Sequence, residues 1–227
     1  MTLRNFGFQD GEHLALLKLH YTALGTPQRN AAGKIINAVL LLRTTTGTGK
    51  SFLMPTLVNV LFQPGQPLDA RRFYIVLPDG IGFGGSTKPS DGLFGHFPHY
   101  GYVDQVVAQH TLVELLGIDH LKLVLGISQG GMQAWLWAER FPDAMDGVVP
   151  IACYPMQISG RNLMWRQVVI NAVRDDPKWH GGNYSPADPP TAWKDVAGLM
   201  FPMMVGTAER LQAAGPDRER SLRTTRT

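Results

Sequence analysis

Ser128 sits in the run Gly126-Ile127-Ser128-Gln129-Gly130, a Gly-x-Ser-x-Gly spacing. That spacing suits a serine nucleophile carried on a sharp strand-to-helix turn. Glycines two residues before and after the serine let the flanking backbones pass closely without a Cβ clash. A helix starting just after the serine aims its free N–H groups and positive dipole end at any oxyanion formed there. The five-residue match alone is weak, and a glycine-rich turn with an idle serine is the plain alternative. The flanks favour the nucleophile. Leu121 to Leu125 before it reads as a buried strand, and Gly131 to Phe141 after it as a helix stopped by Pro142.

Other stretches carry less. Thr46-Gly47-Thr48-Gly49-Lys50-Ser51 invites a phosphate-loop reading, but that pattern needs a glycine at position 44, which is threonine. Gly80 to Gly85 fits Gly-x-Gly-x-x-Gly, yet Ser86 to Gly92 continues as loop where the dinucleotide fingerprint opens a helix. A loop wall beside an active site suits it better, and a nucleotide-binding α/β protein is a remote alternative. The histidines at 13, 20, 96, 99, 110, 120 and 180 form no His-x-x-x-His or His/Cys cluster, so neither metal nor other cofactor is expected. His110 reads as core, His96 and His99 as solvated loop, and Trp135 and Trp137 as packing.

The elements that must hold Ser128 follow from periodicity. Strands are expected over His13–Tyr21, Ile35–Leu42, Phe73–Leu77 and Gly147–Ala152, besides the one before the serine. Helices are expected over Phe52–Leu61, from Tyr102 to Gly117, and over Arg161–Val173, with loops over 80–100 and 175–190. Alternating buried strands and helices predict an α/β fold with a mostly parallel, doubly wound sheet covered on both faces.

The chain of 227 residues is long enough for a sizeable core. Its net charge of +3 is concentrated in residues 216–227, which carry four arginines against two acids and leave about +1 for the rest. That is no nucleic-acid footprint. No apolar run spans a bilayer and no signal peptide is visible, so no membrane partner is expected and the cytoplasm is the default location. Cys153 is the only cysteine, which excludes an internal disulfide.

Several stretches together resemble the homoserine O-acetyltransferase branch of the α/β-hydrolase fold. They are Leu77-Pro78-Asp79-Gly80-Ile81-Gly82, Ser86 to Leu93, Ser128-Gln129-Gly130-Gly131-Met132-Gln133 with Phe141-Pro142-Asp143, and Trp165-Arg166-Gln167 through Tyr184. The resemblance runs from about residue 5 to 205. It implies a core over 1–153 and the start of a helical lid over 154–205; the remainder, 206–227, ends in an Arg/Thr-rich stretch unlike the family and is expected to be an irregular or disordered tail. The resemblance also implies acyl transfer through an acyl-enzyme on Ser128, from an ester or thioester donor to an alcohol or water. The oxyanion donors would be the backbone N–H groups of Gln129 and of the loop near Thr45. The lid residues Arg161 and Arg166 would be candidates to meet an acidic substrate.

Two departures qualify this. The family's His-Gly at the start of the oxyanion loop is Arg43-Thr44 here, and threonine restricts a backbone that glycine leaves free. The triad acid and histidine follow the serine in this fold, and His180 is the only histidine after Ser128. The chain therefore reads as C-terminally truncated within the lid. A catalytically inactive fragment with little turnover is the competing expectation, and self-association through the incomplete sheet would follow.

Overall fold

The computed structural model describes residues 1–224. Within them the chain forms two compact units, one of residues 1–91 and 97–156, the other of residues 92–96 and 157 onward.

In the first unit, β1 (Thr2–Gly7) and β2 (His13–Lys18) pair as an antiparallel hairpin. The expected single strand over His13–Tyr21 is broken. Leu19 and His20 turn the chain, and β3 (Tyr21–Leu24) joins a different sheet. That sheet also contains β4 (Ala38–Leu42), β5 (Tyr74–Pro78), β6 (Leu123–Ile127) and β7 (Val148–Ile151). Its order is β3-β5-β4-β6-β7, with β3 antiparallel to β5 and the rest parallel.

The parallel strands are almost wholly aliphatic because both faces are covered. Their period of two sorts the core. Leu40, Leu42, Val76 and Val124 pack with Val106, Val113, Ala134 and Trp137. Val39, Leu41, Ile75, Leu77 and Leu125 pack with Phe52, Phe62 and Leu68. The first group belongs to the face under α2 (Tyr102–Leu115) and α3 (Gln129–Arg140), the second to the face under α1 (Pro55–Leu61). β4 starts at Ala38, later than expected. The Asn37 amide is spent on Gln28 N–H and on the Thr26 and Arg72 carbonyls, which holds the preceding residues in a turn. The helix expected over Phe52–Leu61 is split. Pro55 opens α1, and Met54 before it is extended, at ψ 141°, as the proline ring demands of its predecessor.

The second unit is helical: α4 (Gly160–Arg174), α5 (Ala192–Val205), α6 (Ala208–Ala214) and α7 (Arg218–Thr224). Asp176 joins α4 to α5 by accepting the N–H groups of Lys178, Thr191 and Ala192. Those bonds hold its carboxyl below the usual range, Ala192 contributing most. The stretch expected to be irregular from 206 contains α6 and α7. Thr207 caps α6 by accepting the Arg210 N–H, and the Asp217 carboxylate accepts the Arg220 N–H. The final three residues of that expected disordered tail lie outside the described residues. Among the described residues no helix is long and apolar enough to cross a membrane.

Candidate active site

β6 delivers Ser128 to the carboxyl edge of the sheet, next to the centre. The serine has φ 57° and ψ −115°, outside the helical and strand regions. A non-glycine residue there is strained, and the surroundings must enforce it. They do so from both sides. The Ser128 N–H donates to the Ile151 carbonyl at 2.8 Å, extending the β6–β7 ladder, and its carbonyl accepts the Met132 N–H at 3.1 Å, opening α3. A Cβ on Gly126 would collide with the Gly130 carbonyl, and one on Gly130 with the Leu42 carbonyl. A Cβ on Gly131 would lie 2.7 Å from Cys153 Sγ. The two motif glycines and their neighbour are thus required by contact.

Ser128 makes no side-chain cap bond to α3. Within its own unit no described side chain hydrogen-bonds its hydroxyl. The Gln129 N–H, at the first position of α3, has no acceptor there either, so it faces the elbow as a free donor.

The loop after β4 reaches the same place, because the Leu42 and Arg43 carbonyls lie against Gly130. Its conformation corrects one expectation. No residue from Arg43 to Thr46 has positive φ, so threonine at 44 carries no backbone penalty. Arg43 turns inward and is 4% exposed. Its Nη1 donates to the Thr44 and Thr45 carbonyls at 2.8 and 3.0 Å, and its guanidinium lies 3.9 Å over the Phe83 ring. Nε and Nη2 are buried without a partner. Burial pulls the Arg43 pKa below its usual value, against the opposing effects of Tyr100 and Asp79.

A cavity of about 190 Å³ opens beside Gln129, lined by Tyr100, Gly101, Tyr102 and Gln105. Gln105 accepts the Ile81 N–H and donates to the Ile81 carbonyl. Burial raises the Tyr100 pKa. Beyond β5, Asp79 accepts the Gly49 and Gly85 N–H groups and meets His20 Nδ1 at 2.9 Å.

The structure therefore sets the start of the loop that carries Thr45, at Leu42 and Arg43, against Gly130 in the first turn of the helix that follows Ser128. Arg161 and Arg166 lie on α4 in the second unit, where Arg161 stacks on Trp165 and Arg166 Nε donates to Asn162. His180 lies in that unit too, in a short 3-10 turn. The inward turn of Arg43 and the His20–Asp79 pair were not foreseen. No spacing marks either, since each depends on strands far apart in the chain. Among the described residues no group of three or more His, Cys, Asp or Glu side chains could hold a metal ion.

The alpha/beta hydrolase fold family matches residues 39–197. The chain belongs to that family. Within it, homoserine O-acetyltransferases are close relatives: that of Gluconobacter oxydans is 35% identical over 194 residues, covering 77% of this chain and 46% of the relative. The homoserine O-acetyltransferase of Solidesulfovibrio magneticus is 34% identical, covering 87% of this chain and 51% of the relative. The chain thus spans about half the length of these curated relatives. Among solved structures, the acetyl esterase MekB superposes with TM-score 0.80 at 26% identity, over 94% of this chain and 60% of that one.

Proposed function

We propose that this α/β-hydrolase-family chain carries the nucleophile of an acyl-transfer or ester-hydrolysis reaction, with the acyl group held on Ser128. The strained φ/ψ of Ser128 carries the reading, because such strain persists where function uses it. The Ser128 hydroxyl would attack the carbonyl of an ester or thioester, passing its proton to a base. The tetrahedral oxyanion would meet the Gln129 N–H and the Thr45 N–H. Collapse would expel the alcohol or thiol and leave an ester on Ser128, which an alcohol or water then removes. The names of the relatives, an acetyltransferase and an acetyl esterase, support small acyl groups. So does the small size of the cavity beside Gln129. Acetyl-CoA with homoserine, and short p-nitrophenyl esters, are the substrates to try. Turnover lost in Ser128→Ala supports the reading. Turnover that survives in that variant, or no phosphonylation of Ser128 by a fluorophosphonate, refutes it.

A second reading has its own support. No base meets the Ser128 hydroxyl within its unit, so the chain by itself would turn over slowly or not at all. In a serine protease, losing the histidine costs about 10⁶ in kcat. His180 is the only histidine after Ser128. Turnover within about tenfold of an ordinary enzyme's, lost in Ser128→Ala, would refute this second reading.

Self-association belongs to the same proposal. Among the described strands β7 pairs only with β6, and Val149 and Ile151 are exposed along it. Open apolar strand edges pair with one another. Val149→Lys should shift the chain toward monomer in light scattering. A wild-type chain that is already monomeric would refute self-association and leave the acyl-transfer reading untouched.

A further inference from the structure

We propose that Arg43 is a positioning residue for the oxyanion loop, holding the Thr45 and Thr46 amides toward the elbow; this rests on the acyl-transfer reading of Ser128. A cation buried to 4% exposure with no carboxylate bonded to it is costly to keep. The nearby acid, Asp79, is committed to Gly49, Gly85 and His20. What Arg43 does bond is the loop itself, through the Thr44 and Thr45 carbonyls.

Strand order gives those bonds a direction. β4 lies between β5 and β6. The guanidinium leans to the β5 side, where it stacks on Phe83 and where a Cβ on Gly80 would overlap Nη2. The two carbonyls are therefore held toward β5. In a trans peptide the carbonyl and the next N–H point in opposite directions. No peptide here is cis. The N–H groups of Thr45 and Thr46 consequently point toward β6, the strand that carries Ser128. Neither has an acceptor among the described residues of its unit. Two aligned amides on one side and a fixed positive charge behind them form an electrostatic arrangement that needs no reorganisation when an oxyanion forms.

The test uses the full chain and two reactions at neighbouring atoms. Phosphonylation of Ser128 by a fluorophosphonate passes through a centre whose oxygen needs the loop amides. Alkylation of Cys153 by iodoacetamide does not, although Cys153 packs on the first turn of the same α3. Arg43→Met should slow phosphonylation by about 100-fold, the usual effect of losing an oxyanion donor. Arg43→Lys keeps the charge and one carbonyl bond and should recover part of the rate. Gly80→Ala leaves Arg43 in place but pushes the guanidinium off its carbonyls, and should also slow phosphonylation. It carries the test if Arg43→Met loses its cooperative melt. Cys153 alkylation should stay unchanged throughout. Wild-type phosphonylation rates in Arg43→Met, or in Gly80→Ala where Arg43→Met does not fold, overturn the role of Arg43 alone. So does a parallel change in Cys153 alkylation, which would mean a loosened elbow. A wild-type chain that is never labelled at Ser128 overturns the serine reading, and this role with it.

Discussion

Strands β4 and β6 leave no side chain exposed, whereas α4 and α5 leave Leu163, Met164 and Phe201 49%, 67% and 58% exposed. Both regions are rich in large apolar residues, so composition does not separate them. The difference is what lies opposite. Each central strand is covered on two faces, and its neighbours are fixed by ladder bonds. The two helices meet each other and keep apolar residues facing outward, the pattern of a surface that engages something else. Precision for the nucleophile belongs on the first kind of region, adaptable contact on the second.

Truncation should separate the two regions most. Leu40→Ala, in the middle of β4, should cost about 2–5 kcal/mol, and Leu163→Ala on α4 less than about 1 kcal/mol. Urea unfolding followed by circular dichroism measures both, and equal losses would break the comparison. Gly130→Ala comes next, because its methyl would meet the Leu42 and Arg43 carbonyls rather than flexible side-chain ends. A loss of about 3 kcal/mol is expected, and a loss below about 1 kcal/mol would mean the elbow has room to relax.

The smallest effect is a pH dependence in the helical unit. Asp176 has its folded-state pKa lowered, chiefly by the Ala192 N–H. A depressed carboxyl stabilises above its unfolded value of about 3.9 and loses that contribution as pH falls toward the folded value. Wild type should therefore melt above Asp176→Asn at pH 7, and the gap should close as pH drops below about 4. A gap independent of pH would point to packing instead of charge.

The signals that mark the elbow in the chain are local, an aliphatic run, two glycines around a serine and a helix start within fifteen residues, although the Leu42 and Ile151 carbonyls that hold it come from other strands. The same holds for the sheet strands, whose burial on both faces writes itself as uninterrupted Val, Leu and Ile. Arg43 could not be read this way. Its environment comes from Gly80, Phe83 and Tyr100, and an arginine after a strand ordinarily points to water. Strand β1 escaped because only Leu3 and Phe6 of its six residues are buried, which leaves no alternation to follow. The break between β2 and β3 is fixed by the Ser86 hydroxyl, which accepts the His20 N–H from 66 residues away. Helix α5 carries Pro202 in its interior, and no strong apolar period announces it.

The Asp79 carboxylate joins segments that are distant along the chain, lying 59 residues from His20 and 30 from Gly49. Its bonds cannot exist until β4 and β5 have paired and the turn after β2 has closed onto them. Long-range contacts of this kind are rewarded only after most of the loop-closure entropy has been spent. The Asp79 tie is accordingly expected to close late in folding and to open early in unfolding. Asp79→Asn should speed unfolding in stopped-flow experiments while leaving the refolding rate nearly untouched, the signature of a contact absent from the transition state. A refolding rate that falls with it would place this carboxylate in the folding nucleus.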